Sequence, residues 1–372
     1  MRGVIIAGSV LYAFTFTLTT KRVRSVAASL ACAPIPAGPA AKRQVSNSWK
    51  RAIIAHAMDA EIIYNPTAGP RDVIRELREL TSFFAEHGWS VELRMTEEPG
   101  DATRMARVAA ERGRDAVIAA GGDGTVNEVV NGLAGTPAAM GVLPVGTGNL
   151  WAKELRVPTY TLTNPLRLRQ AAEGLIEGTV RAIDVGRVGG RVFLCWASAG
   201  LDAEVTSEME PRERYQKRLG ALPYLVAAFL VARDFKGVDA EITIDGDVVE
   251  GRTLLVAVNN IQRYGGLIQV APQARLDDGL VDVFVFKGLG IGYVLRHVVR
   301  VLSRRYLDDP EIVHRQGRRV EVRTAEPLWV QVDGDPIGTT PVNIEVVPGA
   351  LRIIAPPCMP AQLLSATPSD DG

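Results

Sequence analysis

The chain has 372 residues, 47% hydrophobic and 23% charged, which is enough apolar material for two globular units with separate cores and excludes a disordered or fibrous chain. Lys plus Arg and Asp plus Glu each total 42, so no overall field draws the chain to nucleic acid or to an anionic membrane, and any such attraction must be local. Cys32, Cys195 and Cys358 stand far apart and in no metal-ligand or redox spacing, which argues against a disulfide framework or a zinc site and fits a reducing cytoplasm.

Gly3 to Thr19 is apolar and is followed by Lys21, Arg22 and Arg24. A signal or membrane anchor normally has its basic cluster before the apolar run, so an N-terminal anchor is the weaker reading. Residues 1–57 are expected to be an extension outside the fold, which starts at Met58-Asp59-Ala60 and runs directly into a first strand.

From there strand and helix patterns alternate. Glu61 to Tyr64 reads as a strand ending in Asn65-Pro66-Thr67-Ala68-Gly69, and Val73, Leu77, Leu80 and Phe84 recur at helical spacing until Gly88. The cycle repeats with a strand at Val91 to Met95, a helix at Asp101 to Arg112 and a strand at Ala116 to Ala120. A helix at Thr125 to Leu133 and a strand at Met140 to Pro144 follow. Successive units of this kind predict a three-layer α/β domain over residues 58–157, its parallel sheet binding ligands at the carboxyl ends of the strands.

Past Pro158 and Pro165 a helix from Leu166 to Glu177 leads into strand-rich sequence. Strands are expected at Ala182 to Val188, Val192 to Ala197, Ala240 to Ile244, Thr253 to Asn259 and Val281 to Phe286. Further ones are expected at Arg319 to Thr324, Leu328 to Val332, Asn343 to Val347 and Leu351 to Ile354. With turn residues between them they predict an antiparallel β-sandwich over residues 158–355, interrupted by helices at Arg214 to Phe235 and Ile291 to Leu307. Residues 356–372 read as a tail partly returning to the first domain, and the active site is expected in the cleft between the domains.

The chemistry centres on Gly121-Gly122-Asp123-Gly124-Thr125, between a strand and a helix. Glycines let the backbone turn sharply and approach a ligand, and the free N–H groups and dipole of the following helix favour a phosphate. Asp123 would repel that phosphate unless a cation mediates, so the combination suggests a magnesium nucleotide, ATP with Mg²⁺. Alone, the turn fits an ordinary strand-to-helix connection equally well. The Asn65 to Gly69 loop, Thr96 and Gly146-Thr147-Gly148-Asn149 would gather at the same sheet edge, which favours a nucleotide site. The pattern is neither a phosphate-binding loop of the GxxxxGK[ST] type nor a dinucleotide GxGxxG.

Asn65-Pro66-Thr67-Ala68-Gly69, the run Gly121-Gly122-Asp123-Gly124-Thr125-Val126-Asn127-Glu128-Val129-Val130-Asn131-Gly132-Leu133, and Pro144-Val145-Gly146-Thr147-Gly148-Asn149 resemble the diacylglycerol kinase catalytic family. The family includes soluble bacterial lipid kinases and their sphingosine and ceramide kinase relatives. The long form of the glycine motif is specific to it, whereas its first four residues are shared with NAD kinases and phosphofructokinases. The resemblance spans roughly residues 59 to 356. It implies an ATP-dependent transfer of the γ-phosphoryl group to a lipid hydroxyl, with Asn127 and Glu128 joining the nucleotide site. It also implies a structural Mg²⁺ held by Asp278 with the carbonyls of Arg275 and Leu280, in a segment that otherwise reads as a turn.

Val332-Asp333-Gly334-Asp335 by itself reads as a hairpin turn, but it is similar to the family's catalytic Asp-Gly-Glu, which implies Asp333 or Asp335 as the base that accepts the hydroxyl proton. Here the second acid is one methylene shorter, and Leu150 stands where many members carry an Asp after Gly148-Asn149. A lipid substrate requires contact with a membrane surface, for which two basic apolar helices are candidates: Ile291 to Leu307 with Arg296, Arg300, Arg304 and Arg305, and the segment behind Arg212, Arg214, Lys217 and Arg218; the favoured reading of each is a helix that packs its apolar stripe on the sandwich and solvates its charges. A cytoplasmic, peripherally membrane-associated enzyme is expected, with no nucleic-acid partner and with a homodimer left open. The alternatives are an NAD kinase-like phosphotransferase, which shares the glycine turn, and a non-catalytic lipid or nucleotide sensor, which would not need the Asp333-Gly334-Asp335 pair.

Overall fold

The computed structural model describes residues 58–69, 72–159, 164, 166–208, 231–264 and 268–365. The extension 1–57 and most of the expected helix Arg214 to Phe235 lie outside the described residues; Val231 to Asp234 of that helix are helical.

The first part is doubly wound. In chain order it runs β1 (Asp59–Tyr64), α1 (Ile74–Glu86), β2 (Ser90–Met95), α2 (Asp101–Glu111), β3 (Ala116–Gly121), α3 (Asp123–Leu133), β4 (Ala139–Pro144), α4 (Leu150–Glu154) and α5 (Arg167–Ile176). The strands lie in the order β2-β1-β3-β4, all parallel. β1, β3 and β4 are almost wholly buried, as continuous apolar runs must be when helices cover both faces. The helices α1 and α5 touch on one face, where the Arg169 guanidinium lies 3.5 Å from the Phe83 ring centre. On the other face α2 and α3 pack closely enough that a Cβ on Gly132 would meet the Thr103 carbonyl at 2.5 Å.

β1 continues to one side of the sheet and β3 to the other, so the crevice at the carboxyl ends of β1 and β3 is the topological switch point, where open α/β sheets bind ligands.

The second part is antiparallel. It contains β5 (Thr179–Val188), β6 (Arg191–Phe193), β7 (Trp196–Gly200), α6 (Leu201–Glu208), β8 (Val238–Ile244), β9 (Asp247–Asn259), and the short pair β10 (Arg263–Tyr264) and β11 (Ile268–Gln269). After these come β12 (Val281–Lys287), α7 (Gly290–Leu302), β13 (Ile312–Gly317), β14 (Arg319–Thr324), β15 (Trp329–Val332), β16 (Asp335–Thr339) and β17 (Val342–Ala355). The strand path is β16-β15-β7-β9-β8-β14-β17, with β12 and β13 branching from β9 and with β5 and β6 branching from β17. A core of Val, Ile, Ala and Phe side chains, among them Val258, Val283, Val320 and Val332, fills the sandwich.

Several expectations need correction. Asn343 to Val347 and Leu351 to Ile354 belong to one strand, β17, whose register shifts at Pro348-Gly349, Gly349 having φ +60°. The end of β17 pairs in parallel with β4, Arg352 opposite Ala139 and Ile353 opposite Met140, so one sheet runs through both parts. The expected strand Val192 to Ala197 is broken between Phe193 and Trp196, because the intervening N–H groups turn to a carboxylate instead of a ladder. β13 and β16 were not expected; their polar residues hide the strand period.

Candidate active site

Three loops meet at the switch point, and the glycines are what let them. A Cβ on Gly146 would lie 2.5 Å from the Gly122 Cα, one on Gly69, whose φ is +76°, would lie 2.3 Å from the Val145 oxygen, and one on Gly148 would lie 2.3 Å from an Asp123 oxygen. Hydrogen bonds tie the same loops. The Asn65 N–H donates to the Ala120 carbonyl at 3.1 Å, and its side-chain amide donates to the Thr125 hydroxyl at 3.2 Å. Asn65 also accepts from the N–H and hydroxyl of Thr67, which folds the loop after β1 into an Asx turn.

The N-cap of helix α3 is Gly122, which is extended and has no side chain to cap the helix, and the helix's first N–H groups have no partner within it. A Cβ on Gly124 would meet nothing within 4 Å, so the space in front of this turn is open. An uncapped N-terminus, open space and exposed Thr67 and Thr147 at its rim fit the phosphates of a nucleotide.

Asp123 sits at the centre. Its carboxylate accepts the Leu150 N–H at 2.5 Å and thereby fastens α4 to α3. Burial raises its pKa, while backbone donors and the Lys153 ammonium, one helical turn beyond Leu150, pull it down. Burial in turn lowers the pKa of Lys153 and Asp123 raises it, so the two share a partly dry pocket.

Opposite stands the β15–β16 hairpin. Asp333 and Gly334 form its two-residue turn, with Val332 paired to Asp335 and with φ of +49° and +90°, as a turn of the primed kind requires. The Asp333 carboxylate accepts N–H groups from Leu194, Cys195 and Trp196 at 2.8–2.9 Å. Loss of water around it raises its pKa to about 6, against the pull of these donors and of Arg191. Asp335 is ion-paired to Arg191 from β6.

Asp123 and Asp333 line the same small cavity, together with Asn127, Trp151, Cys195 and Trp196. Asn127 is 3% exposed, and its amide nitrogen has no hydrogen-bond partner among the described residues. Burial, and then the charges of Asp333, Asp123 and Glu154, push the Cys195 thiol well above its usual pKa, so it stays protonated and is no nucleophile.

Of the residues singled out from sequence, Asn65 to Gly69, Gly121 to Thr125, Asn127 and Gly146 to Asn149 converge on this crevice. Glu128 does not: its carboxylate accepts the Ala102 N–H at 3.1 Å and caps α2. Thr96 is buried at the end of β2, its N–H donating to the Tyr64 carbonyl at 2.9 Å. Sequence reading also missed Asn131, which accepts the Val192 N–H and donates to the Val192 carbonyl, both at 2.9 Å, and so stitches α3 to β6.

The Asp278 loop lies apart from this crevice, on an open cleft with Arg275 and Gln316. Asp278 accepts the Leu280 N–H at 3.0 Å; burial raises its pKa, and Asp184, Asp282 and Asp277 add to the rise. Asp184 braces the loop by accepting the N–H groups of Gly279 and Gly349 at 2.6 and 2.7 Å. Among the described residues no three His, Cys, Asp or Glu side chains are grouped to hold a metal by themselves. A magnesium ion here would rest on Asp278 and backbone carbonyls, an all-oxygen donor set that suits it.

A doubly wound sheet joined to an antiparallel sandwich, with glycine loops facing an acidic hairpin, has known counterparts. Residues 59–188 match the diacylglycerol kinase catalytic domain, and residues 195–355 match the YegS C-terminal NAD kinase beta sandwich-like domain. A diacylglycerol kinase of Bacillus subtilis (strain 168) is 33% identical over 284 residues, covering 76% of this chain and 91% of that protein. One of Staphylococcus aureus (strain bovine RF122 / ET3-1) is 30% identical over 300 residues, covering 80% and 92%. The crystal structure of a diacylglycerol kinase from Bacillus anthracis str. Sterne superposes with a TM-score of 0.62 at 26% identity, over 82% of this chain and 98% of that one. The chain belongs to the diacylglycerol kinase catalytic-domain family.

Proposed function

We propose that this protein is a lipid kinase that uses ATP, with Mg²⁺, to phosphorylate the hydroxyl of a diacylglycerol-type or related lipid. The observation that carries the reading is the shared cavity: Asp123, from the phosphate-binding turn, and Asp333, from the acidic hairpin, line one space. The glycine loops hold the triphosphate through backbone N–H groups. Mg²⁺ supplies neutralisation of phosphate charge when bound. Asp333 accepts the proton of the lipid hydroxyl as its oxygen bonds to the γ-phosphorus and the bond to the bridging oxygen breaks, releasing ADP. A carboxylate with a pKa near 6 is deprotonated at neutral pH yet basic enough for this task. Arg191, paired with Asp335, lies beside it to offset developing charge.

The lipid reaches the site from a membrane surface. Leu289, Leu295, Val299 and Leu307 are 41–58% exposed on and around α7, beside the exposed Arg304 and Arg305. That combination suits an anionic interface. Arg296 and Arg300, by contrast, are turned to the buried Asp309 and hold α7 in place. Among the described residues no helix is long and apolar enough to cross a membrane.

The test is phosphoryl transfer from labelled ATP by purified protein offered mixed vesicles of diacylglycerol, ceramide and sphingoid base, with NAD in parallel. Labelled lipid that disappears in Asp333→Asn supports the proposal. Label on NAD alone would replace it with an NAD kinase, and ATP binding without any transfer would make the protein a sensor.

A further inference from the structure

Beneath the Asp333-Gly334 turn lies a chain of polar groups, buried at Ser198 and Gln331 and half-buried at Asp202 and Tyr264, that the nucleotide reading does not use. The Gly334 N–H donates to Gln331 Oε1 at 2.7 Å, and Gln331 is 1% exposed. Gln331 Nε2 donates to Asp202 Oδ2 at 2.8 Å and to Ser198 Oγ at 2.7 Å. Ser198 Oγ donates to the same Asp202 oxygen at 2.8 Å, and the Tyr264 hydroxyl donates there as well. Asp202 reaches this place because Gly200, at φ +106°, bends β7 into α6; a Cβ there would strike the Leu254 carbonyl at 2.5 Å.

A primary amide is nearly symmetric in shape and can be turned end for end, but its two ends are opposite in hydrogen bonding. A carboxylate only accepts. Asp202 therefore holds the NH₂ end of Gln331 towards itself and leaves the carbonyl end for the Gly334 N–H. Reversed, the amide would set NH₂ against N–H at the turn and oxygen against carboxylate at Asp202. Both contacts would be repulsive, and Gln331 itself is almost fully buried.

We infer that Asp202 is a positioning residue for phosphoryl transfer: it fixes the sense of Gln331 and thereby the turn that carries Asp333 and Asp335. The inference rests on the lipid-kinase reading for the identity of the reaction, but the hydrogen-bond chain it invokes can be read without turnover.

Asp202→Asn removes the acceptor-only group. It should lower kcat about 100-fold, the loss expected when reacting groups shift by about 1 Å, with KM for ATP within about twofold of wild type. Combining it with Gln331→Glu reverses donor and acceptor between the two positions: the introduced carboxylate can accept from both the new amide and the Gly334 N–H. The double variant should regain about tenfold or more over Asp202→Asn alone, a coupling that a double-mutant cycle isolates. Amide exchange at Gly334, followed by NMR on the full chain, should accelerate in Asp202→Asn and slow again in the double variant. Wild-type exchange in Asp202→Asn, or no recovery of exchange in the double variant, overturns the inference. So does unaltered kcat in Asp202→Asn. A wild-type enzyme that phosphorylates no lipid would instead overturn the proposed function and leave the exchange result to decide the positioning chain.

Discussion

Replacing Gly146 with Ala adds one methyl group where two backbones touch. Its Cβ would stand 2.5 Å from the Gly122 Cα, 3.2 Å from the Gly122 nitrogen and 3.0 Å from Asn149 Oδ1. Ordinary contact begins near 3.4 Å, so the loops after β3 and β4 must part by about 1 Å. Neither side can yield by a rotamer change, since the first contact is backbone, and the Gly146 N–H is bonded to the Gly121 carbonyl at 3.1 Å. Overpacking of this kind costs about 1–3 kcal/mol, and a displacement of that size at a reacting centre lowers the rate by about 100-fold. The assay is steady-state kinetics with ATP varied at saturating lipid, alongside thermal unfolding. The expected result is a raised KM for ATP, a lowered kcat and a lower Tm. Gly292→Ala is the control: a Cβ there meets nothing within 4 Å, and alanine in α7 should stabilise by up to about 1 kcal/mol without touching the kinetics. Wild-type ATP kinetics in Gly146→Ala would refute the idea that close approach of these loops builds the nucleotide site.

The pH dependence should be equally specific. Asp333 must be deprotonated to accept a proton, so kcat should fall as pH drops through about 6, and that acidic limb should vanish with the activity in Asp333→Asn. The stability effect has the opposite sign: burial favours the neutral form in the folded state, so this group's contribution declines as pH rises from the unfolded value towards about 6, as urea titrations at several pH values can show. Asn131→Ala leaves the Val192 N–H and carbonyl without their partner and should cost about 1–3 kcal/mol in urea denaturation. Asp309 holds Arg296 and Arg300 with its own carboxylate fully buried, but both arginines are more than a third exposed, so Asp309→Ala should cost about 2 kcal/mol, less than the about 3–5 kcal/mol of a fully buried pair. Vesicle binding measured by sedimentation should weaken in Leu295→Ser/Val299→Ser, with Tm unchanged because both side chains are exposed.

The alternation of strands and helices from Asp59 to Pro144 was legible because its signals are local. Apolar runs of strand length, helical repeats such as Leu77, Leu80 and Phe84, and glycines at each turn are set by neighbours in sequence. The close approach of the glycine loops was legible for the same reason, since backbones that must pass this near each other need glycine whatever surrounds them. Glu128 shows where that reasoning stops. It sits inside the motif, yet a helix turns its side chain to α2, where it caps an N-terminus distant in sequence.

The sequence by itself determined the architecture, the family and the glycine loops that converge at the switch point, because those depend on periodicity and on backbone freedom. Only the tertiary structure decided what Asp333 is. Its caging by the N–H groups of Leu194, Cys195 and Trp196 joins residues almost 140 positions apart, breaks a strand that the sequence alone would continue, and sets the carboxyl's basicity through burial. Asp202, Gln331 and Tyr264 are likewise separate polar residues in the chain, and no local pattern marks them. They become one network only when α6, β15 and the β10 segment are brought together, since hydrogen-bond partners across a fold are chosen by packing and not by sequence distance.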